Sequence, residues 1–328
     1  MRNQKNFLRG IMGSLFFLGL FLFPFQSLNQ DFPTKPITIY CGQEAGATTD
    51  LTIRALADIA KTQLGVPVVV ENKPGGGATV AATLIASKKP DGYTLGAFSS
   101  AALDTRHLIL KKLSYNPFKD FTYIFAYANY IYGICVRKDS SFQTLNDLLE
   151  HARKKAGDPL IYSSSGTGSS SQLAVEFLAK QAKVGFKHVP FKGGAPATTA
   201  LIGGHVDFTA GAGIHVTYVK QEIFRMLVVT GSEKRDPAFP EIPTLTDLGY
   251  KDVPPSNYLL LAPEGLPDPI FKKLESAFRQ AAYSPQFRKV LDNLNIPFAF
   301  KDRRELEADF PKHYQFWRDL LKQIVAKN

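Results

Sequence analysis

Lys35-Pro36-Ile37-Thr38-Ile39-Tyr40-Cys41-Gly42-Gln43-Glu44-Ala45-Gly46-Ala47-Thr48-Thr49-Asp50 is the stretch that decides the fold. The β-rich run Ile37 to Tyr40 reads as a strand, and Gly42 and Gly46 end it in a turn. A helix follows from about Thr49, with Leu56, Ile59, Ala60 and Leu64 spaced for one helix face. The same unit continues outward. Val66 to Glu71 is the next strand, Pro74-Gly75-Gly76-Gly77 the next turn, and Val80 to Ser87 the next helix. Pro90-Asp91-Gly92 then leads into the strand Tyr93 to Phe98.

A second series begins near Tyr132. It reads as the strand Gly133 to Val136, the helix Thr144 to Ala156, the strand Leu160 to Tyr162, a Ser/Gly-rich loop and a helix from Gln172 to Lys183. Short strands at Lys187 to Val189, Val206 to Thr209 and Met226 to Val229 continue it. A Pro-rich stretch, Pro237 to Pro255, precedes the apolar strand Tyr258 to Ala262, and the tail is helical at Pro269 to Ala282, Pro285 to Leu294 and Arg304 to Val325. Strand–helix alternation with Gly-rich turns specifies an α/β protein with mostly parallel sheets covered by helices. No repeat with a period of about 20–50 residues is present.

The 328 residues are enough for two domains with separate cores. A composition of 45% hydrophobic and 21% charged residues excludes the disordered and polytopic membrane classes. The N-terminus is the exception. Arg2, Lys5 and Arg9 precede an almost wholly apolar run from Ile11 to Phe25, with no acid before Asp31. That pattern is a secretory leader over residues 1–30, implying an exported protein, and the run is short of the roughly 20 residues a spanning helix needs. The alternative is an uncleaved N-terminal anchor, because no clear small-x-small exit follows the run.

Net charge is +10, and the leader contributes three of the positives. Lys111-Lys112, Arg153-Lys154-Lys155 and Arg303-Arg304 are short runs separated by acids, so they read as solvated faces and exclude a nucleic-acid partner. Cys41 and Cys135 each lie in an apolar stretch, where a free cysteine behaves as a small buried residue, although an oxidising compartment would permit one disulfide.

Two segments share one local design. Glu44-Ala45-Gly46-Ala47-Thr48-Thr49 leaves a strand and opens a helix, and so does Ser165-Gly166-Thr167-Gly168-Ser169-Ser170. Small residues let a ligand approach the backbone, and the helix start offers unpaired N–H groups at the positive end of its dipole. One such site per domain would clamp an anion with two polar ends. Ser169 to Gln172 also fits a capping box, which fixes the helix start without using all its donors.

Enzyme motifs are missing: there is no G-x-x-x-x-G-K-[ST], no G-x-S-x-G elbow, no H-E-x-x-H and no C-x-x-C. The six histidines, His107, His151, His188, His205, His215 and His313, lack metal-ligand spacing. The expectation is a binding protein with no catalytic residue, cofactor or metal. A hydrolase using the Ser-rich loop is the enzymatic alternative.

The ordered set of motifs resembles the Bug proteins, the solute-binding components of tripartite tricarboxylate transporters. The carriers are Pro33-Thr34-Lys35-Pro36-Ile37-Thr38, Val68-Val69-Val70-Glu71-Asn72-Lys73-Pro74-Gly75-Gly76-Gly77 and Pro90-Asp91-Gly92-Tyr93-Thr94-Leu95. Next come Gly166-Thr167-Gly168-Ser169-Ser170, His188-Val189-Pro190-Phe191-Lys192-Gly193-Gly194, Gly203-Gly204-His205-Val206-Asp207-Phe208 and Pro240-Glu241-Ile242-Pro243-Thr244. The likeness runs from about Phe32 to the C-terminus.

The resemblance implies a type II periplasmic-binding-protein fold. Domain 1 is built from residues 31–132 with 256–328 and domain 2 from 133–255, and a small organic acid is bound in the cleft between them. It implies a monomer that hands its ligand to membrane permease subunits, or alternatively reports it to a signalling system. The family's binding loops fall on Glu44, Ala45, Gly46, Ala47, Thr48 and Asp50, on Ser99 and Ser100, and on Ser165, Thr167, Gly168, Ser169 and Ser170. Gly193 and the stretch from Ala210 through Gly211 to Gly213 line the far side. Two departures affect ligand identity. Glu44 places a carboxylate near the first loop, and Ala210-Gly211-Ala212-Gly213 replaces the acidic or amide residue common in the family.

Overall fold

The computed structural model describes residues 32–325, apart from 101–102, 104, 106–107, 109–112, 156, 192, 213, 252 and 254. The leader and the apolar run Ile11 to Phe25 lie outside the described residues. The chain divides into two units, Met1–Phe32 and Pro33–Asn328, and the elements below belong to the second.

In chain order these are β1 (Ile37–Cys41), α1 (Thr48–Leu64), β2 (Val68–Asn72), α2 (Thr79–Ala86), β3 (Thr94–Ser99), β4 (Phe121–Asn129) and β5 (Tyr132–Arg137). Then follow α3 (Leu145–Lys154), β6 (Ile161–Ser164), α4 (Ser170–Ala182), β7 (Lys187–Pro190), α5 (Gly194–Ile202), β8 (Phe208–Ala212), α6 (Ile214–Lys220) and β9 (Phe224–Thr230). The chain finishes with β10 (Asn257–Pro263), α7 (Asp268–Tyr283), α8 (Pro285–Asn293), β11 (Phe298–Asp302) and α9 (Arg303–Val325).

Two sheets result. The first has the order β11-β4-β10-β3-β1-β2 and the second β7-β6-β8-β5-β9. The β1, β2 and β3 ladders are parallel, as are those of β6 with β7 and β8. The sheets are mixed, however, and not mostly parallel. β10 runs antiparallel between β3 and β4, β11 is antiparallel to β4, and β5 is antiparallel to β8 and β9. The antiparallel strands enter where the chain passes between sheets, and no crossover helix reverses its direction there.

Helix α1 shows why these residues fold as they do. Its buried positions Ile53, Leu56, Ala57, Ala60 and Leu64 repeat on one face, and Gly65 ends it in the left-handed conformation with its N–H on the Lys61 carbonyl. β4, which strand–helix alternation leaves unmarked, is buried along its whole length. A strand covered on both faces has no polar alternation to announce it. α5 and α6 also go unmarked in the sequence, because Gly194, Pro196 and the β-branched residues of α6 are weak helix formers.

Each sheet has its own core. Phe98, Phe121, Tyr123, Leu259, Leu261, Leu306 and Phe310 pack about the first. The second sheet is covered on one side by Leu148, Leu173, Phe177, Phe208 and Trp317, and on the other by Cys135, Leu201, Phe224 and Met226. α9 therefore bridges the two cores, with Leu306 and Phe310 in one and Trp317 and Leu320 in the other. Among the described residues no helix is long and apolar enough to cross a membrane. Cys41 and Cys135 are buried free thiols, and burial raises both, Cys41 to about 11.

Candidate functional site

The start of α1 is built by a brace. Gly46 takes φ +82°, a left-handed value that a glycine adopts without strain. Its N–H donates to the Asp50 carboxylate at 2.9 Å, and the Ala47 N–H donates to the Glu44 carbonyl at 3.1 Å. Ala47 itself, at φ −70° and ψ 159°, is the residue before the helix.

The start of α4 repeats this geometry. Gly168 takes φ +70° and its N–H donates to Gln172 Oε1 at 2.6 Å, while the Ser169 N–H donates to the Gly166 carbonyl at 3.1 Å. Ser169 has φ −70° and ψ 154°, and its hydroxyl caps the helix by accepting from the Gln172 N–H at 3.3 Å. The expected capping box is thus shifted: the Gln172 side chain satisfies Gly168, one residue before the cap. In both helices the first two N–H groups, of Thr48 and Thr49 and of Ser170 and Ser171, lie beyond any intrahelical acceptor.

Several side chains expected at the site are occupied by this scaffolding. Asp50 is 2% exposed, and its carboxylate also accepts from Arg54 Nε and Asn72 Nδ2, both at 2.8 Å. Asn72 in turn donates to the Gln43 carbonyl at 2.9 Å, tying the loop to the end of β2. Glu44 and Ala45 are exposed. Thr48 Oγ1 accepts from the Tyr258 hydroxyl at 2.9 Å, and Thr49 bonds the Tyr130 hydroxyl, which also accepts from Gln43 Nε2 at 3.1 Å. Tyr130 and Tyr258 stack with ring centroids 3.7 Å apart. Burial holds both phenols well above their ordinary range, so they stay neutral donors.

The Ser-rich loop is a hydroxyl cluster. Ser165 donates its N–H to Ser171 Oγ at 3.2 Å, and Ser169 Oγ lies 3.0 Å from the same oxygen. Ser164 Oγ is 2.7 Å from His188 Nε2, and the His188 ring stacks on Tyr162. Burial pulls His188 down to about 4, so near neutral pH its ring is neutral, and the Ser164 hydroxyl that it pairs with donates to the Gly166 carbonyl at 3.2 Å. Thr167 is exposed.

The expected residues fall into separate places. Ser100 and Ser170 meet in one pocket of about 380 Å³, together with Tyr132, Thr230, Gly231 and Ser256. The Ser100 hydroxyl also accepts from the Asn257 N–H at 3.2 Å, and Ser99 ends β3 opposite Tyr258. Thr48 lines a second pocket of about 290 Å³ with Tyr130, His215, Asp236 and Tyr258. Gly193, at φ +120°, precedes α5, and Gly211 pairs with Gly133 inside the sheet; neither lines these two pockets.

The sequence reading missed Tyr130, Tyr132, Gly231, Ser256, His215 and Asp236. Tyr130 and Tyr132 flank the point where the chain leaves β4 for β5, and that junction was the available signal. His215 and Asp236 are 21 residues apart and meet only in the fold. Among the described residues no group of three or more His, Cys, Asp or Glu side chains could hold a metal ion.

Two mixed α/β sheets joined at Tyr130–Tyr132 and again before Asn257, with matched helix starts, define a two-lobed solute-binding class of protein. The model of the tripartite tricarboxylate transporter family receptor matches residues 52–323. A Cupriavidus necator relative, the UPF0065 protein in the gbd 5′ region, is 38% identical over 288 residues, covering 88% of this chain and 86% of its own. The chain belongs to the tripartite tricarboxylate transporter receptor family, and its fold is that of the periplasmic binding proteins.

Two solved structures are close in shape. MatC from Rhodopseudomonas palustris with bound malate is 28% identical, has a TM-score of 0.72 and covers 88% of this chain and 99% of its own. Another R. palustris protein, solved with adipate, is 25% identical, has a TM-score of 0.76 and covers 89% of this chain and 98% of its own.

Proposed function

We propose that this chain captures a small organic acid, a di- or tricarboxylate or a relative of one, between its two lobes and delivers it to the permease subunits of a tripartite tricarboxylate-type transporter. The observation that carries the reading is the repeated helix start: Gly46 to Asp50 and Gly168 to Gln172 present free N–H pairs in the same braced geometry, one in each lobe. A carboxylate end docks on the N–H groups of Thr48 and Thr49, and the other polar end meets those of Ser170 and Ser171. The lobes, residues 31–132 with 256–328 and residues 133–255, close on the solute and exclude water, which strengthens each hydrogen bond. Malate and adipate in the two related structures support a carboxylate ligand.

In this reading Glu44, Ala45, Gly46, Ala47, Ser99, Ser100, Ser165, Thr167, Gly168, Ser169, Gly193 and Gly211 shape the cleft, while Asp50 and Gln172 hold its two donor sites. The protein acts as a periplasmic monomer exported by residues 1–30, without a cofactor and without turnover. The full burial of Ser164 beside His188 supports a binding role over a nucleophilic one.

The test is a thermal-shift screen against mono-, di- and tricarboxylates, amino acids and aromatic acids. A true ligand at 100 times its Kd adds about 2.7 kcal/mol of stability. A screen in which no acid raises the melting temperature would refute the proposal, and so would conversion of the acid to product.

A further inference from the structure

Helix α9 passes from one core to the other, and a proline stands at the crossing. Leu306 and Phe310 are buried in the core of the first sheet, whereas Trp317 and Leu320 are buried in that of the second. Pro311 lies between these pairs, inside the helix and exposed. A proline has no N–H for the Glu307 carbonyl, and its ring crowds that carbonyl, so the ladder is weakest on this turn. Such a proline costs stability in any helix interior, and at an exposed site no packing offsets the cost.

Each half of α9 is fastened separately. The first half is tied to β11. The Asp302 N–H donates to the Glu305 carboxylate at 2.8 Å, the Glu305 N–H donates to that of Asp302 at 2.9 Å, and Lys301 Nζ donates to Asp309 Oδ2 at 2.6 Å. The second half is fastened to α4. The Phe316 ring centroid lies 5.6 Å from that of Phe177, and Trp317 meets Ser170, Leu173 and Phe177 around the larger pocket. Leu173 and Phe177 stand about one and two turns along α4 from Ser170, whose N–H belongs to the second donor pair. Between the halves, Phe118 lies edge-on to Phe310 and Tyr314, at 4.9 and 4.7 Å, on the two sides of Pro311. Its ring is 48% exposed, so it rests on the crossing without anchoring it in either core.

The other two passages between the sheets lie side by side. The Tyr130 N–H donates to the Ser256 carbonyl at 2.7 Å, and Asn129 Nδ2 donates to Asn257 Oδ1 at 2.8 Å. Two adjacent segments of chain make a hinge. An unbroken helix of 23 residues, about 35 Å long and buried in a different core at each end, would hold that hinge at one angle. We propose that Pro311 is the pivot of a strap: the first half of α9 stays with one lobe, the second half travels with α4 and the other, and closure turns at three places. Pro311 is thereby a positioning residue for the donor pair at the start of α4. The inference rests on the closure of the lobes on a solute proposed above.

The test replaces Pro311 by alanine, which completes the ladder, and by glycine, which supplies the N–H but keeps the turn pliant. Spin labels at Lys88→Cys and Lys187→Cys, exposed positions in the two lobes, report the spread of interlobe distances without any ligand; Cys41 and Cys135 are buried and stay unlabelled. Pro311→Ala should narrow that spread to about half, and Pro311→Gly should leave it unchanged. The melting temperature of Pro311→Ala should stay level or rise, because the helix itself is improved. Malate, adipate and citrate then serve as probes in calorimetry. Pro311→Ala should bind them about tenfold more weakly, since a closed state tenfold less populated lowers the apparent affinity by that factor. The emission of Trp317, the single tryptophan of the chain, should respond to them more slowly. Equal distance spreads in the unaltered protein and Pro311→Ala overturn the pivot, and so does a loss of affinity that merely follows a loss of stability. A narrowed spread in a protein that binds no acid upholds the pivot and refutes the solute-binding function; an unchanged spread with tight binding does the reverse.

Discussion

Replacing Asp50 by alanine should damage both stability and binding, because its carboxylate braces the start of α1. Its three acceptor contacts, to the Gly46 N–H at 2.9 Å and to Arg54 Nε and Asn72 Nδ2 at 2.8 Å, are unequal. The Arg54 side chain is 45% exposed, so that ion pair contributes little. The Asn72 and Gly46 bonds are each worth about 1 kcal/mol, and loss of an anion from the first turn of α1 adds about 0.5 kcal/mol. The sum is a destabilisation of roughly 2–3 kcal/mol, read as a shift in the urea midpoint at constant slope. Gly46 also loses the bond that holds its left-handed turn, so solute affinity measured by calorimetry should fall about tenfold or more. Asp50→Asn keeps an acceptor for one partner and should recover part of the stability. A stability change below about 0.5 kcal/mol together with unaltered affinity would refute the brace.

Two further outcomes follow from the second lobe. Gly168→Val forces a β-branched residue into φ +70°, a strain of about 1–2 kcal/mol, and should weaken solute binding far more than it lowers the melting temperature; equal affinity would remove this loop from the site. His188 is held at about 4 in the folded state against an ordinary 6.5, so the unfolded chain takes up its proton first as pH falls. Stability should therefore decline between pH 6.5 and about 4, with solvent screening at the half-buried ring keeping the loss modest, and His188→Gln should flatten that part of the pH profile in thermal unfolding.

Much of this molecule is legible in order along the chain. Periodicity alone places α1, because Leu56, Ala60 and Leu64 recur on its buried side, although Ile59 of the expected face is only partly buried and Ile53 takes a place on it. Gly46 and Gly168 mark the two helix starts, since left-handed turns after strands select glycine for a local, steric reason. The ordered motifs specify the family, and the family model and the fold agree with them.

Other features have no local signature. Whether Asp50 meets a ligand or a backbone N–H depends on Asn72 and Arg54 reaching it, and only the pairing of β1 with β2 brings Asn72 there. β4 is silent because burial on both faces erases its alternation. The meeting of His215 with Asp236, the stack of Tyr130 on Tyr258, and the span of α9 across both cores are contacts between segments far apart in sequence. Short-range sterics and periodicity therefore fixed the class of protein and the two helix starts. Long-range packing decided which polar atoms are spent on the scaffold, like the Asp50 carboxylate, while the amides at the two helix starts are left outside it.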